Sequence, residues 1–309
     1  MERIITITLN PAIDKSTSVK ALVPDKKLRC AQPKFEPGGG GVNVSRAIKK
    51  LGGNSTAVYL AGGYSGKFFE TLLDKEGIES IVIPIADITR ENMIVVDESS
   101  NLQYRFGMPG PVISANELAQ CIQVIEQAEG VEYIVASGSL PEGVDDSFFA
   151  QLASIATRKK ARLIIDTSGE PLRQAIKEGV YMIKPNLGEL SMLNGVEELH
   201  DADILPAARA IIDKGGAEVI VVSMGASGAM LVTKDEVINS PSPTVKKRST
   251  VGAGDTMVAA MVLAMSNNWG WREVLQFGIA AGTATTMNSG TELCRKHDVD
   301  RLFTYLQKM

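Results

Sequence analysis

Short apolar runs alternate with helical stretches along most of this chain, and that rhythm restricts the fold before any motif is considered. RIITITL (3–9), YIVAS (133–137), RLIID (162–166), YMIK (181–184) and EVIVVS (218–223) are continuous hydrophobic segments of strand length. Such runs suit strands buried on both faces better than strands with one wet face. Amphipathic or alanine-rich segments at 43–51, 65–76, 115–128, 146–159, 169–178, 202–214, 255–267 and 271–287 predict helices between most of them. Alternation of this kind implies an α/β fold whose mainly parallel sheet is sandwiched by helices.

Two stretches break the rhythm. Residues 15–36 and 90–106 read as strands and hairpins without crossover helices, which predicts a small β-sheet appendage, a lid or an interface built onto the core. Strands outside the main sheet expose edges, so dimerisation through this appendage is expected. With 309 residues, no internal repeat and no evident linker, residues 1–309 are expected to form one unit.

Composition removes several classes of function. No apolar run approaches the roughly 20 residues of a membrane-spanning helix, and MERIITITLNPAID lacks the charged and then apolar segments of an export signal. A cytoplasmic location is expected. Three widely spaced cysteines (Cys30, Cys121 and Cys294) and only two histidines argue against a disulfide framework and a zinc site. A net charge of −4 with scattered basic residues argues against a nucleic-acid footprint. The expected partner is a small molecule.

In open α/β sheets ligands bind beyond the carboxyl ends of strands, so glycine-rich turns that open helices are the places to search. STVGAGDTMVAAM (249–261) is one such place. Gly252 and Gly254 permit a tight turn and close backbone approach, and the first free N–H groups of the following helix favour an anion. Asp255 adds a carboxylate where a plain phosphate cradle would avoid one. Ordinary helix capping by Asp255 is one reading. Phosphoryl transfer is the other, with Asp255 accepting the proton of an attacking hydroxyl and the amides stabilising phosphoryl charge.

EPGGGGVNVSRAIKKLGG (36–53) is a second glycine cluster, in which Gly38, Gly39, Gly40 and Gly41 precede a helix carrying Asn43 on its first turn. Four glycines cost chain entropy without apolar gain, so close approach to a ligand is the expected compensation. Asn43, and Asp14 at the expected end of the first strand, supply groups that orient sugar hydroxyls.

Taken in order, these two motifs resemble those of the ribokinase/PfkB sugar-kinase family, and the resemblance covers essentially the whole chain. SGSLPEGV (137–144), KPNLGEL (184–190) and VVSMGASGAM (221–230) are also similar to family blocks, while NPAID, KLRC, TREN, QYRFGMPG and GTELC resemble its sugar-phosphate kinases. The resemblance implies a ribokinase-like fold with a β-sheet lid. It implies ATP-dependent phosphorylation of a ketohexose phosphate, with fructose 6-phosphate as first expectation and tagatose 6-phosphate or fructose 1-phosphate as alternatives. A non-catalytic sugar-phosphate sensor is the expectation from a different class.

Residue by residue, the resemblance implies Asp255 as catalytic base with Gly252, Ala253 and Gly254 as an anion hole. Lys184, Asn186, Glu189, Ser223, Gly225 and Thr250 would hold the nucleotide, with Glu189 holding Mg²⁺ mostly through water and Gly282 shaping the pocket. Alone, Asn186 and Glu189 read equally as a helix cap and a solvated carboxylate. Ser139 would lie near the sugar, with Gly39, Gly40, Asn43 and Asp14. Arg90 and Arg105 suit the acceptor's own phosphate, and Lys27 would add charge from the lid or from a neighbouring subunit. Ser249, Val251, Asn288 and Gly290 would supply oxygens to a monovalent cation, with potassium expected. Glu292 departs from the arginine expected at its position.

Overall fold

The computed structural model describes residues 3–309. The chain opens with β1 (Ile4–Thr8), crosses into β2 (Ala12–Val19) and β3 (Lys34–Gly38), and enters α1 (Gly40–Leu51). Next come β4 (Thr56–Ala61), α2 (Gly63–Lys75) and β5 (Glu79–Pro84), then the hairpin of β6 (Arg90–Asp97) and β7 (Leu102–Phe106). Alternation resumes through α3 (Ala115–Gln127), β8 (Tyr133–Ser137), α4 (Phe148–Lys159), β9 (Arg162–Asp166), α5 (Gly169–Glu178) and β10 (Val180–Ile183). It continues with α6 (Leu187–Leu193), α7 (Asp201–Asp213), β11 (Ala217–Ser223), β12 (Ala229–Val232) and β13 (Val237–Ser240). Three helices follow: α8 (Ala253–Ser266), α9 (Trp271–Thr286) and α10 (Lys296–Leu306).

Nine strands form the main sheet in the order β13-β12-β11-β10-β9-β8-β1-β4-β5. It is parallel from β5 to β11, and β12 and β13 join antiparallel. The continuous apolar runs follow from this placement, since every residue of β1 and β8 is buried. Alternate residues go to opposite layers, as the period of a strand requires. Ile5, Ile7, Ile134 and Ile165 pack with α3, α4, α5 and α7, while Ile4, Tyr133, Val135 and Ile164 pack with α1, α8, α9 and α10. The ribokinase-like α/β fold implied by the motifs is the fold observed.

The second sheet has four strands in the order β3-β2-β6-β7, with β2 parallel to β6 and the outer pairs antiparallel. Its root is held by a small cluster joining Ile13 of β2 to Val42 of α1, Tyr59 of β4 and Phe69 of α2. The far end is exposed, with Leu102, Tyr104, Phe106 and Met93 all facing solvent.

One expectation is corrected here. Asp14 does not end the first strand, because β1 stops at Thr8 and the chain has crossed into the second sheet by Ala12. Pro11 explains the break, since it offers no N–H to a ladder.

Candidate active site

The carboxyl ends of β1, β8, β9, β10 and β11 share one edge of the sheet, and the amino termini of α1 and α8 meet them there. Gly252 sits just before α8 with φ 72°, a left-handed conformation that glycine adopts without steric cost. The helix begins with Thr256 N–H donating to the Gly252 carbonyl at 2.9 Å. The N–H groups of Gly252, Gly254 and Asp255 find no acceptor among the described residues, so they remain open to a ligand anion.

Asp255 does not cap its helix. Its Oδ2 accepts from Asn43 Nδ2 at 2.9 Å and its Oδ1 from Ser137 Oγ at 3.2 Å. Desolvation, reinforced by the nearby Asp166 carboxylate, pushes its pKa up to about 6. Asn43, Lys184 and Ser137 oppose that rise. A carboxylate so placed is ionised at neutral pH yet basic enough to accept a proton.

Lys184, 7% exposed, follows β10 and places Nζ 3.1 Å from Asp166 Oδ1. Burial disfavours its charge, but Asp166, with Glu189 and Asp255 behind it, leaves its pKa raised. A Cβ on Gly254 would lie 3.4 Å from Lys184 Nζ, so the helix start reaches close to this ammonium.

Beside this pair opens a cavity of about 720 Å³, lined by Asp166, Lys184, Asn186, Glu189, Ser223, Gly225, Thr250, Ala253, Gly254 and Gly282 among others. Val245, Met257 and Ile279 give it apolar walls. Its size and mixture of apolar walls with a few convergent polar groups match a small-molecule site. Asn186 and Glu189 form a reciprocal capping box at the start of α6, with both bonds at 2.9 Å. The capping reading of this pair is therefore correct as geometry, and the same two residues line the cavity.

A second polar cluster lies at the root of the small sheet. Asn92 Nδ2 donates to Asp14 Oδ1 at 3.0 Å, and Asn10 Nδ2 to Ser139 Oγ at 3.2 Å. Arg90 donates to the carbonyls of Asn10 at 3.0 Å and Met108 at 3.3 Å. Two buried atoms here, Arg90 Nε and Asn10 Oδ1, have no hydrogen-bond partner among the described residues. Unsatisfied buried polar atoms are costly, so this cluster has donor and acceptor capacity reserved for something else. Burial lowers the Arg90 pKa against the pull of Asp14, and burial raises that of Asp14 against its bond from Asn92.

The glycine run joins the two clusters. A Cβ on Gly38 would sit 2.4 Å from Asp14 Oδ2, and one on Gly40 would sit 2.2 Å from Ser137 Oγ. Gly39 has φ 111° and packs on Thr8 and Pro11. Arg105 is exposed on β7 and bonds Gln103, with Nη2 3.4 Å from Thr250 Oγ1 across the gap. Lys27 is exposed in the connection between β2 and β3, and makes no hydrogen bond or ion pair among the described residues.

The turn before α8 also meets the turn after α9. Ser249 Oγ donates to the Gly290 carbonyl at 2.7 Å, Val251 N–H to Ser249 Oγ at 3.3 Å, and Asn288 Nδ2 to the Leu293 carbonyl at 2.9 Å. No group of three or more His, Cys, Asp or Glu side chains is placed to hold a metal ion among the described residues. Glu292 pairs with Arg295, which keeps its carboxyl below the usual range.

Four residues of these clusters escaped the sequence reading: Asn10, Asn92, Ser137 and Asp166. Ser137 and Asp166 are the last residues of β8 and β9 and pair in register. A polar residue closing an apolar run was the available signal, because that is where ligands meet a parallel sheet.

Comparison with known proteins agrees with this geometry. The family described as pfkB family carbohydrate kinase matches residues 4–298. The chain is 42% identical, over 309 residues and the full length of both chains, to the ATP-dependent 6-phosphofructokinase isozyme 2 of Escherichia coli strain K12. Among solved structures it is similar to phosphofructokinase-2 from Escherichia coli in complex with substrates and products, with a TM-score of 0.95 and 42% identity. It is equally similar to that enzyme in complex with potassium, with a TM-score of 0.94 and 42% identity; each match covers 99% of this chain and 100% of the other. The chain belongs to the pfkB family of carbohydrate kinases.

Proposed function

We propose that this kinase transfers the γ-phosphoryl group of ATP to the free primary hydroxyl of fructose 6-phosphate, giving fructose 1,6-bisphosphate and ADP. The observation that carries the reading is Asp255, a carboxylate held by Asn43 and Ser137 in the first turn of α8, beside three unpaired amide donors. In the proposed step Asp255 takes the hydroxyl proton as the sugar oxygen bonds phosphorus. The bond from the γ-phosphorus to the bridging oxygen breaks, and its electron pair leaves with ADP. The open amides of Gly252 and Gly254 stabilise charge on the phosphoryl oxygens, as electrostatic preorganisation requires, and Ala253 N–H, which donates to the Thr250 carbonyl at 3.4 Å, would have to leave that long bond to join them.

The large cavity suits the nucleotide, with Lys184 supplying positive charge and Ser223, Gly225 and Thr250 its walls. The polar cluster suits the acceptor: Arg90 toward its phosphate, and Asp14, Gly39, Gly40, Asn43 and Ser139 around its hydroxyls. Arg105, and Lys27 from the lid or a second subunit, would add charge there.

Two cations fit the residues present. Glu189 has one carboxylate oxygen on the Asn186 amide and the other unbonded among the described residues, so it suits Mg²⁺ held largely through water. The turns carrying Ser249, Val251, Asn288 and Gly290 present oxygens without a soft ligand, which suits potassium better than a transition metal. Bound with ATP, Mg²⁺ would neutralise phosphate charge.

The two sheets work as one unit in this reading, with the small one closing as a lid. Its exposed Met93, Leu102, Tyr104 and Phe106 suit contact with a second copy, giving a homodimer. A monomeric sedimentation coefficient at working concentration would contradict the dimer. No helix is long and apolar enough to cross a membrane among the described residues, and a cytoplasmic location accords with the proposed substrates.

The test of the reaction is the initial rate of ADP formation with MgATP and K⁺ against fructose 6-phosphate, tagatose 6-phosphate, fructose 1-phosphate and fructose. The highest kcat/KM is expected with fructose 6-phosphate. Preference for another acceptor would keep the chemistry and overturn the substrate, and silence with all four would favour a sugar-phosphate sensor.

A further inference from the structure

Arg46 is the largest fully buried side chain, 2% exposed, yet it touches none of the cavity described above. Four of its five N–H donors are hydrogen-bonded. Nε and Nη2 grip the Glu76 carboxylate at 2.9 and 2.6 Å, and Nη1 reaches the Pro37 carbonyl at 2.7 Å. Nη2 also lies 3.7 Å from Glu36 Oε1. Glu36 is fixed in turn, since Thr291 Oγ1 donates to its Oε2 at 2.6 Å and Lys34 Nζ lies 3.2 Å from its Oε1.

The remaining contact of Nη1 is with Asn43 Oδ1 at 3.3 Å, one turn earlier on α1. An asparagine carboxamide can sit in two orientations with nearly the same shape. With Oδ1 toward Arg46, the amide Nδ2 is free to donate to Asp255 Oδ2. The flipped orientation would set donor against donor at Arg46 and acceptor against carboxylate at Asp255. Both contacts would then be repulsive.

We propose that Arg46 is a positioning residue for phosphoryl transfer, locking the Asn43 carboxamide in the orientation that holds Asp255, while Glu76, Glu36 and the Pro37 carbonyl lock Arg46 itself. The proposal rests on Asp255 being the base. Stability alone gives little reason to bury a guanidinium among two carboxylates, because well-packed apolar side chains often serve as well. Orientation gives a reason, because only a planar fork serves Glu76, Pro37 and Asn43 together.

The test is Arg46→Lys, whose point charge keeps the sign but cannot span those three partners. Its kcat is expected to fall about tenfold with KM for ATP unchanged. The acid limb of its kcat/KM profile is expected to move up by about half to one pH unit, because a weakened bond from Asn43 no longer offsets burial and Asp166. Lys184 and Ser137, the other groups facing Asp255, are untouched by the change. Glu76→Gln, which loosens the clamp at a partly exposed position, is expected to shift both quantities the same way by about a third as much. It carries the test if Arg46→Lys fails to fold. A wild-type kcat and acid limb in the folded variant, whatever its Tm, would overturn the proposal. Asp255→Asn, assayed in parallel, separates the two failures: if it is inactive while Arg46→Lys behaves as wild type, only the role of Arg46 falls, and if it is active, the base assignment falls as well.

Discussion

Lys184 Nζ lies 3.1 Å from Asp166 Oδ1, and this ion pair stands between the large cavity and the carboxylate of Asp255. Its cation does two things at once. It partly offsets Asp166, which raises the Asp255 pKa, and it offers charge to the cavity. Lys184→Met should therefore move the acid limb of kcat/KM upward and raise KM for ATP. Breaking a buried pair from one side also costs about 3–5 kcal/mol, which denaturant unfolding would measure.

The pH dependence of activity has a definite direction. Asp255 must be ionised to take a proton, and its pKa is about 6. The kcat/KM profile should be half-maximal near pH 6 and approach its plateau about one pH unit higher. An acid limb near pH 4 would show that the desolvated environment is not what the reacting enzyme presents.

The same shift has a stability consequence of opposite sense. Asp255 titrates at about 6 when folded against an ordinary 3.8, so between those values the folded chain holds a proton that the unfolded chain has released. Stability contributed by the protonated form is present at low pH and lost as pH rises through that window. Asp255→Asn should therefore stabilise the protein at pH 7.5 by about 1–3 kcal/mol, with the gain vanishing toward pH 4. Thermal melts of the two proteins at both pH values would measure it.

Gly40 allows α1 to approach the end of β8, where an added Cβ would meet Ser137 Oγ at 2.2 Å and the Ser137 carbonyl carbon at 2.6 Å. Backbone cannot yield cheaply there. Gly40→Ala should lose about 1–3 kcal/mol of stability and reduce kcat by displacing a donor to Asp255. Gly107→Ala, where nothing lies within 4 Å, should leave stability within about 0.5 kcal/mol.

Arg90 is half-buried, and its buried Nε has no hydrogen-bond partner among the described residues. Arg90→Met should raise KM for the sugar phosphate by about 10- to 100-fold, the range of a lost charge-assisted bond. KM for ATP should stay within about twofold. Equal losses for both substrates would place this arginine elsewhere in the reaction.

The sequence exposed those parts whose chemistry is local. Gly252, Gly254 and Asp255 announce an anion-binding helix start because such a turn needs glycine, and β8 and β9 announce themselves as unbroken apolar runs. Ser137 and Asp166 were hidden by the same runs, since their partners lie 118 residues away at Asp255 and just past the end of the next strand at Lys184. Asp14 was placed on the wrong strand because the crossing at Pro11 leaves no gap in polarity. Strands β12 and β13 have four residues each and α6 has seven, too short for a period to show. Nothing local in the sequence marks Arg46, and only tertiary packing makes it a buried residue.

The central claim is tested most directly by kcat of Asp255→Asn with fructose 6-phosphate and saturating MgATP, together with the nucleotide affinity of the variant by calorimetry. Loss of a general base predicts a fall in kcat of about 10²–10⁴-fold, with nucleotide affinity retained within about threefold. A kcat within about tenfold of wild type would contradict the assignment of Asp255 as the group that accepts the hydroxyl proton.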